Sequence, residues 1–308
     1  MEELKQLVVA GIINGSGYAI LGVGFALILG VTGRFHYAFA LVFTFAAYVT
    51  SILISGAGIP VALAIAAGLL AAVALGVFCE GAVYSPLAAR SGAVSLLAIF
   101  IASLGLTIAG TNIIQLIWGS SGRAIEAFTV SPMKVGSVTF TNLELSMVIV
   151  FWALICGLAG LLRYTSLGRQ IKAVRSNPGL ARIAGVEPDR IHLWVFALGS
   201  LLCGSAGILT GMRFSVQPDM GTRPVVFAFV VAFLGGSTNS PLVVGLAGLG
   251  LGLIESTSEL WVAPQWTSLV IFSVLFIYLT LRPVQFSQFS VALRRALRIG
   301  PPVTSIER

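Results

Sequence analysis

Nine apolar segments, separated by short polar connections, fill most of this 308-residue chain. A transmembrane helix needs about 20 consecutive apolar residues, and a backbone that faces lipid must satisfy its own hydrogen bonds. We therefore predict an all-α, polytopic membrane bundle with about eight to ten transmembrane helices. The predicted spans are Leu7–Gly30, Tyr37–Ser55, Pro60–Tyr84, Val94–Trp118, Leu143–Leu162, Ile191–Met212, Pro224–Gly236, Pro241–Glu259 and Pro264–Leu281.

The lysine and arginine residues indicate the orientation of the bundle. When the short seventh span is counted as crossing, 13 of the 18 cations fall on the side of residues 163–190 and five on the other. Cytoplasmic connections carry the excess of positive charge, so we predict an extracytoplasmic N-terminus and a cytoplasmic C-terminus. A re-entrant half-helix at 223–241 stays an alternative. The predicted domains are one transmembrane domain, 1–290, and a basic cytoplasmic tail, 291–308.

The scarcity of charge excludes several classes of protein. Charged residues make up 9% of the chain, against about 25% in a soluble domain. The net charge of +7 therefore reflects topology and contact with anionic lipid, and no soluble basic patch interleaved with aromatic residues predicts nucleic-acid binding. Cys79, Cys156 and Cys203 lie in apolar spans without metal or redox spacing, so no bound metal or cofactor is predicted.

Residues 163–190 form the one long polar stretch between two predicted spans, and they carry six of the 18 cations. Asn177 can cap a helix whose first residue is Pro178, and Gly185 suits the left-handed turn that ends a helix. A short, capped, basic helix between two spans predicts a docking element at the cytoplasmic surface. An amphipathic helix that rests on anionic lipid is the alternative.

A series of short motifs over most of the chain resembles the H-type permease subunit of bacterial importers for branched-chain amino acids, in the wider family for hydrophobic amino acids, urea and amides. Each motif alone is common, and their order and spacing carry the resemblance. The motifs are Gly30-Val31-Thr32-Gly33, Glu80 with Tyr84 and Pro86, Thr165-Ser166-Leu167-Gly168-Arg169, Gly185-Val186, and Gly235-Gly236 followed by Pro241.

The resemblance implies a permease subunit of an ATP-driven importer in the bacterial plasma membrane. The implied partners are a second homologous permease subunit, two cytoplasmic ATPase subunits, an extracytoplasmic solute-binding protein and membrane lipid. The sequence has no G-x-x-x-x-G-K-[ST] phosphate loop, so ATP and magnesium would be used by the partner ATPases and the chain itself is not predicted to be an enzyme. The implied ATPase-coupling residues are Asn177, Pro178, Ala181, Arg182 and Gly185, with Ala181 as the small residue at the contact.

The solute is less constrained than the class, because one motif departs from the family pattern. Where that pattern has N-F-A-H-G-E, residues 36–41 have H-Y-A-F-A-L, which is more aromatic and lacks the carboxylate. The predicted solute is a branched-chain or hydrophobic amino acid, with an amide, urea or an aromatic acid as alternatives.

Polar side chains inside or beside the predicted spans are candidates for the solute pathway, since a wholly apolar lining would not replace the hydration of a polar solute. For Thr107, a hydrogen bond to its own helix is the alternative role. For His36, the alternative is a solvated flank at the membrane surface. The candidates are Asn14, Tyr18, His36, Tyr37, Thr107, Asn112 and Gln115.

Glu80, Glu255 and Glu259 lie near span ends, and each has a functional and a structural interpretation. An ionisable group within a span is a functional candidate by default, but Glu80 could instead pair with Arg90 or with a cation of residues 163–190. Glu255 and Glu259 lie one helical turn apart and are either solvated or a patch for the binding protein.

A stand-alone secondary transporter or channel is the alternative function. Such carriers usually need ionisable groups or broken helices near the membrane midplane, whereas most of the predicted spans lack Asp and Glu. The two histidines cannot form a multi-histidine metal site, which disfavours a membrane enzyme. No internal repeat is recognisable. Small residues at helical spacing, such as Gly11/Gly15, Gly199/Cys203/Gly207/Gly211 and Gly248/Gly252/Ser256, predict close helix packing within the chain, with a subunit interface or a moving contact as the alternative.

Overall fold

A computed structural model describes residues 2–91, 95–125, 130–136, 138–236 and 240–281 of the chain as a helical bundle with one small hairpin. The elements are α1 Glu2–Thr32, α2 Phe39–Ser55, α3 Val61–Phe78, α4 Ser85–Ser91, α5 Ser95–Trp118, β1 Pro132–Val135, β2 Val138–Thr141, α6 Asn142–Tyr164, α7 Ser166–Ser176, α8 Pro178–Ile183, α9 Pro188–Phe214, α10 Thr222–Leu234, α11 Pro241–Ser258 and α12 Thr267–Leu281. A π-helical turn, Cys79–Tyr84, joins α3 to α4, and a 3-10 turn, Pro264–Trp266, precedes α12.

The helical membrane architecture predicted from the sequence is confirmed. Each predicted span contains a helix, and within the described residues six helical stretches are long and apolar enough to cross a membrane: α1, α3 with α4, α5, α6, α9 and α11. Three apolar helices, α2, α10 and α12, are shorter. The predicted start of the fourth span at Val94 and the tail 291–308 lie outside the described residues.

The connections place the two ends of the bundle. Residues 163–190, predicted as a loop with one short helix, contain two helices, α7 and α8, and we call their end of the bundle the loop end. The antiparallel β1–β2 hairpin marks the opposite end, which we call the hairpin end. Gln6 exchanges two hydrogen bonds with the backbone of Thr139 on this hairpin, so α1 begins at the hairpin end.

The pair α1 and α2 and the pair α9 and α10 have the same arrangement in opposite orientations, and we call them the inverted pairs. Antiparallel contacts join α1 to α9, since Asn14 meets Arg213 at the hairpin end and Gly24 meets Gly199 farther in. After α1, the linker 33–38 turns back into the bundle, so that α2 begins beside Gly24 and runs parallel to α9. After α9, the chain turns back in the same way at 215–221, and α10 runs parallel to α1.

The close approach of helices predicted from small residues is confirmed within the chain. A Cβ atom added at Gly252 of α11 would overlap the Cα atom of Gly15 on α1, and one at Gly248 would lie 2.5 Å from the Cα atom of Ala19. On α9, a Cβ atom at Gly207 would overlap the carbonyl oxygen of Phe43 on α2. Small residues therefore let α1 and α9 contact their neighbours backbone to backbone.

The α1–α11 contact gives a matched test on a single helix. We expect Gly252→Ala to lower the thermal midpoint of the detergent-solubilised protein, because overpacking of this kind costs about 1–3 kcal/mol. Gly250→Ala is the control, since the site has open space around it and alanine favours a helix over glycine by up to about 1 kcal/mol. Equal midpoints for the two variants would contradict the packing described.

Candidate functional site

A cavity of about 550 Å³ lies between α1, α6, α9, α10 and α11 in the hairpin-end half of the bundle. We call it the hairpin-end cavity. It reaches the protein surface, because the exposed side chains of Phe214 and Gln217 are part of its lining. Its buried apolar lining includes Leu21 on α1, Phe43 on α2 and Phe227 on α10. The lining comes from α1, α2, α9 and α10 together with α6 and α11, and it includes Met220, Arg223 and Pro224 at the point where α10 begins.

One side of the cavity carries a charged network around Arg213. Its guanidinium donates a hydrogen bond of 3.0 Å to the Asn14 side chain on α1. It also forms an ion pair of 2.6 Å with Glu144 on α6. Glu144 itself belongs to the capping box at the start of α6, where it accepts from the backbone N–H of Thr141. The network thus joins three helices at the hairpin end and presents one cation to the cavity.

The other side carries Glu255 of α11, together with Tyr18 and Arg223. Glu255 is buried, with the Tyr18 hydroxyl within hydrogen-bonding reach and the Arg223 guanidinium within electrostatic reach. Among the described residues its Oε2 atom has no hydrogen-bond partner. The prediction that Glu255 is a solvated or surface carboxylate like Glu259 is therefore wrong. Packing of α11 against α1 turns Glu255 inward while Glu259 stays exposed.

The cavity therefore offers charges of both signs on an apolar background. Arg213 and Arg223 can bind a carboxylate, and Arg223 sits at the first turn of α10, where the helix dipole also favours an anion. Glu255 can accept hydrogen bonds from an ammonium group. Leu21 and Phe227 provide apolar contact for an aliphatic side chain. This combination of groups suits a small amphipathic zwitterion.

The linker 33–38 brings a second polar cluster into the bundle. Arg34 forms a buried ion pair with Glu80 in the π-helical turn, and His192 Nδ1 on α9 lies 3.8 Å from the same carboxylate. His36 Nδ1 is 2.9 Å from the Tyr84 hydroxyl, and its side chain is fully buried. The interpretation of His36 as a solvated flank is wrong, because the linker re-enters the bundle. The partner of Glu80 is Arg34 and not Arg90.

The candidate pathway residues fall into three places. Asn14 and Tyr18 line the hairpin-end cavity. His36 and Tyr37 lie in the linker, where the Tyr37 N–H donates to Ser103.

The remaining candidates are on α5, away from the cavity. Thr107 is buried and donates to the Ser103 carbonyl of its own helix, as its alternative interpretation proposes. Asn112 and Gln115 are exposed on the outer face of α5, and Asn112 bonds back to the Ile108 carbonyl. The buried face of α5 passes through Ser103 and Thr107, so neither amide points into the bundle.

The sequence interpretation missed the role of the two arginines of the cavity. Arg213 and Arg223 are counted there only among the five cations on the side opposite residues 163–190, and Glu144 is not singled out. The signal that could have identified them is their position: Arg213 directly follows one predicted span, and Arg223 directly precedes the short seventh span.

At the loop end, α8 has the geometry expected of a capped helix. The Asn177 side chain accepts a hydrogen bond of 3.0 Å from the Leu180 N–H, and Pro178 is the first helical residue. Gly185 has a φ of +82°, the left-handed conformation predicted for it. Val186 then donates to the Ala181 carbonyl, which completes the turn.

Ala181, the predicted small residue at the ATPase contact, does not lie on the exposed face of α8. Ala181 is only 4% exposed, because it packs against the core of its own chain. Leu180 and Ile183 are 63% and 85% exposed, and Arg182 is exposed beside them. Large apolar side chains in this position offer a partner more contact area than Ala181 could, so the exposed face of α8 is defined by Leu180 and Ile183.

Helix α7, which the sequence interpretation did not find, ties α8 to the bundle. Its apolar residues Ile171 and Val174 are buried against the core. The Arg175 guanidinium lies beside Gly30 near the end of α1. Since α8 follows α7 after one residue and α9 begins shortly after α8, α8 is connected directly to α9 and, through α7, to the end of α1.

Comparison with known proteins assigns the class. Residues 7–279 match the family model described as the permease component of branched-chain amino acid transport systems. The chain therefore belongs to this family of membrane transport permeases.

Individual relatives include two full-length permeases. The chain is 27% identical over 287 residues to LivH of Escherichia coli K12, a high-affinity branched-chain amino acid transport system permease protein, covering 89% of this chain and 92% of the relative. It is 26% identical over 294 residues to BraD of Pseudomonas aeruginosa, which has the same description, covering 91% and 94%. The chain is 30% identical over 165 residues to the fructose import permease FrcC of Rhizobium meliloti, and this match covers 49% of this chain and 43% of the relative. No solved structure matches.

Proposed function

We propose that the chain is the permease subunit of an ATP-driven importer and carries a hydrophobic amino acid from the hairpin-end cavity toward the loop end. The observation that carries this proposal is the mixed charge of the cavity, with two arginines and Glu255 around apolar walls, in a chain of this family. Glu255 is buried and its Oε2 atom has no hydrogen-bond partner among the described residues, so the ammonium group of a solute would satisfy it. A carboxylate on the same solute would meet the exposed guanidinium of Arg223. A neutral sugar or urea has no charges to complement these groups, so the cavity favours a zwitterion.

The proposed orientation places the hairpin end outside and the loop end in the cytoplasm of a bacterial cell. Its support is the cation excess of residues 163–190, which include α7 and α8. Side chains that face outward along the bundle are apolar over large areas, which fits contact with the lipid of the plasma membrane. Leu70, Leu116 and Phe276, for example, are 70%, 85% and 71% exposed.

The proposed partners follow from these two ends. Two ATPase subunits, which use ATP and magnesium, dock at the loop end on α8, and a second permease subunit completes the membrane part. A solute-binding protein delivers the amino acid at the hairpin end. Nucleotide can drive the permease between two states only if the ATPases contact α8 differently in each state. The path α8 to α7 to α1 is the proposed route for that change.

The exposed face of α8 gives the first test. We expect the double substitution Leu180→Ser with Ile183→Ser to weaken copurification of the ATPase subunits, by about 2 kcal/mol or roughly thirtyfold if these side chains are a binding hot spot. Membrane insertion and thermal stability should stay unchanged, because both side chains are exposed. Met133→Ser with Val135→Ser, two exposed residues on the hairpin, is the matched control.

Gly185→Val provides a second variant of the same segment. A β-branched residue at a φ of +82° strains the turn by roughly 1–2 kcal/mol and should misplace α8 without removing its contact residues. If all these variants assemble with the ATPases and hydrolyse ATP during transport at the normal rate, α8 is only a membrane-surface helix.

The solute is tested by uptake into cells that express the whole transporter. We expect an excess of unlabelled leucine, but not of urea or benzoate, to suppress leucine uptake, because only leucine carries both charges and an aliphatic side chain. Arg223→Gln should lower the maximal rate by about tenfold, since a hydrogen bond to a charged group contributes about 1.5–3 kcal/mol. The apparent affinity should change little where the binding protein sets it. Lys134→Gln, at an exposed hairpin residue, is the control, and an unchanged maximal rate for Arg223→Gln would exclude the cavity from the pathway.

A further inference from the structure

A second, smaller cavity lies on the same face of α1, closer to the loop end. It has a volume of about 200 Å³, and we call it the loop-end cavity. Its lining is Ala26, Leu29, Gly30, Arg175, Ala232, Phe233 and Gly236. Tyr18 lines the hairpin-end cavity, and Leu29 in the loop-end cavity lies about three turns farther along the same face of α1. Helix α10 also lines both cavities, with Phe227 in one and Phe233 in the other.

Between the two cavities, α1 and α10 pack directly where Gly22 meets Val231, and three phenylalanine rings fill the space beside that contact. Phe25 on α1 and Phe229 on α10 have ring centroids 6.3 Å apart. Phe35 from the linker packs against both, at 5.2 Å from Phe25 and 5.0 Å from Phe229. Phe229 in turn contacts Phe233 at the wall of the loop-end cavity, with centroids 4.5 Å apart. The rings are edge-to-face or tilted, an arrangement that fills space and excludes polar solutes.

Phe35 differs from the other two rings because no helix carries it. It belongs to the linker 33–38, whose backbone is held by side chains of other elements. The Ser103 hydroxyl on α5 accepts from the Tyr37 N–H at 3.2 Å and lies 3.4 Å from the Phe35 carbonyl oxygen. Next to Phe35, Arg34 is fixed by its buried ion pair with Glu80. The Phe35 ring itself also packs edge-to-face against Phe100 on α5, with centroids 5.2 Å apart. All of these contacts are with side chains of other elements, so the ring can leave Phe25 and Phe229 when the linker shifts, while α1 and α10 remain intact.

We propose that Phe35 is the movable part of an internal gate, in which the Phe25–Phe35–Phe229 contact separates the two cavities and the Arg34–Glu80 pair holds the linker closed. This proposal rests on the proposed function, because it makes the seam between α1 and α10 the solute pathway. A hydrophobic amino acid would pass from one cavity to the other only when Phe35 leaves the contact.

The same cluster links the gate to the coupling segment. Glu80 lies 3.8 Å from His192, which is in the first two turns of α9, just after the turn that ends α8. Both Glu80 Oε2 and His36 Nε2 lack a hydrogen-bond partner within the described part of the chain. The cluster therefore has hydrogen-bonding atoms to spare. A shift of α9 against the π-helical turn can bring His192 closer to Glu80 in place of Arg34, or the reverse. Such an exchange breaks or restores the Arg34–Glu80 ion pair that holds the linker.

The gate is tested by access of a small, membrane-impermeant, cationic methanethiosulfonate to single cysteines in the full chain. The background replaces Cys79, Cys156 and Cys203 with alanine. In sealed membrane vesicles, Leu21→Cys in the hairpin-end cavity should react with reagent added on the outside. Ala26→Cys in the loop-end cavity should not react from that side.

Removing the Phe35 ring should open this barrier. In Phe35→Ala, the outside reaction of Ala26→Cys should become about tenfold faster or more, the change that corresponds to a loss of 1.4 kcal/mol from the closed state. Phe229→Ala should act in the same direction and serves as the second variant should Phe35→Ala fold poorly. Phe276→Ala, which removes an exposed ring on α12, is the matched control and should leave the reaction unchanged.

Two results would overturn the gate. One is an Ala26→Cys side chain that already reacts from outside as fast as Leu21→Cys in the otherwise unchanged protein. The other is an unreactive Ala26→Cys in Phe35→Ala and Phe229→Ala proteins of normal thermal stability. The experiment is repeated with reagent on the inside. If Leu21→Cys reacts only from the inside, the proposed orientation is wrong. The gate is still tested in that case, because Phe35→Ala should increase access to whichever cavity lies beyond the aromatic contact.

Discussion

Lipid offers no hydrogen-bonding partners, so every non-helical segment inside a membrane bundle depends on protein groups. The linker 33–38 meets this constraint with Ser103 for its backbone and Glu80 for the charge of Arg34. A buried charge that loses its partner destabilises a protein by about 3–5 kcal/mol, so the position of this linker is tied to the ion pair. The start of α2, the placement of Phe35 and the division of the interior into two cavities all follow from where the linker is held.

The inverted pairs give the site its form. The helices α2 and α10 begin inside the bundle and run in opposite directions, and the start of α10 lines the hairpin-end cavity. Gly24 against Gly199 and Gly15 against Gly252 bring the long helices close enough to support these short ones. The hairpin-end cavity is thus a consequence of backbone packing, and Arg213, Arg223 and Glu255 supply its charges.

Much of the fold could be predicted from the sequence, because its signals are local. Apolar length gives the spans, and the sequence Asn177-Pro178 followed by Gly185 gives α8. The re-entry of 33–38 could not be predicted, since it depends on the pairing of Arg34 with Glu80, which are far apart in the chain. Arg34 looks like an ordinary cytoplasmic cation after a span. Likewise, the burial of Ala181 depends on α7, whose amphipathic pattern lies in a polar stretch.

The central claim is that the solute crosses between α1 and α10 through the aromatic contact at Phe35. Structures of the assembled transporter in membrane-like particles, with and without a bound ATP analogue, test it most directly. The account predicts that in one nucleotide state α8 is displaced, Phe35 has left Phe25 and Phe229, and the two cavities are continuous. If α8 is displaced but the three rings stay in contact in both states, with solute bound elsewhere, such as between the two permease subunits, the account is contradicted.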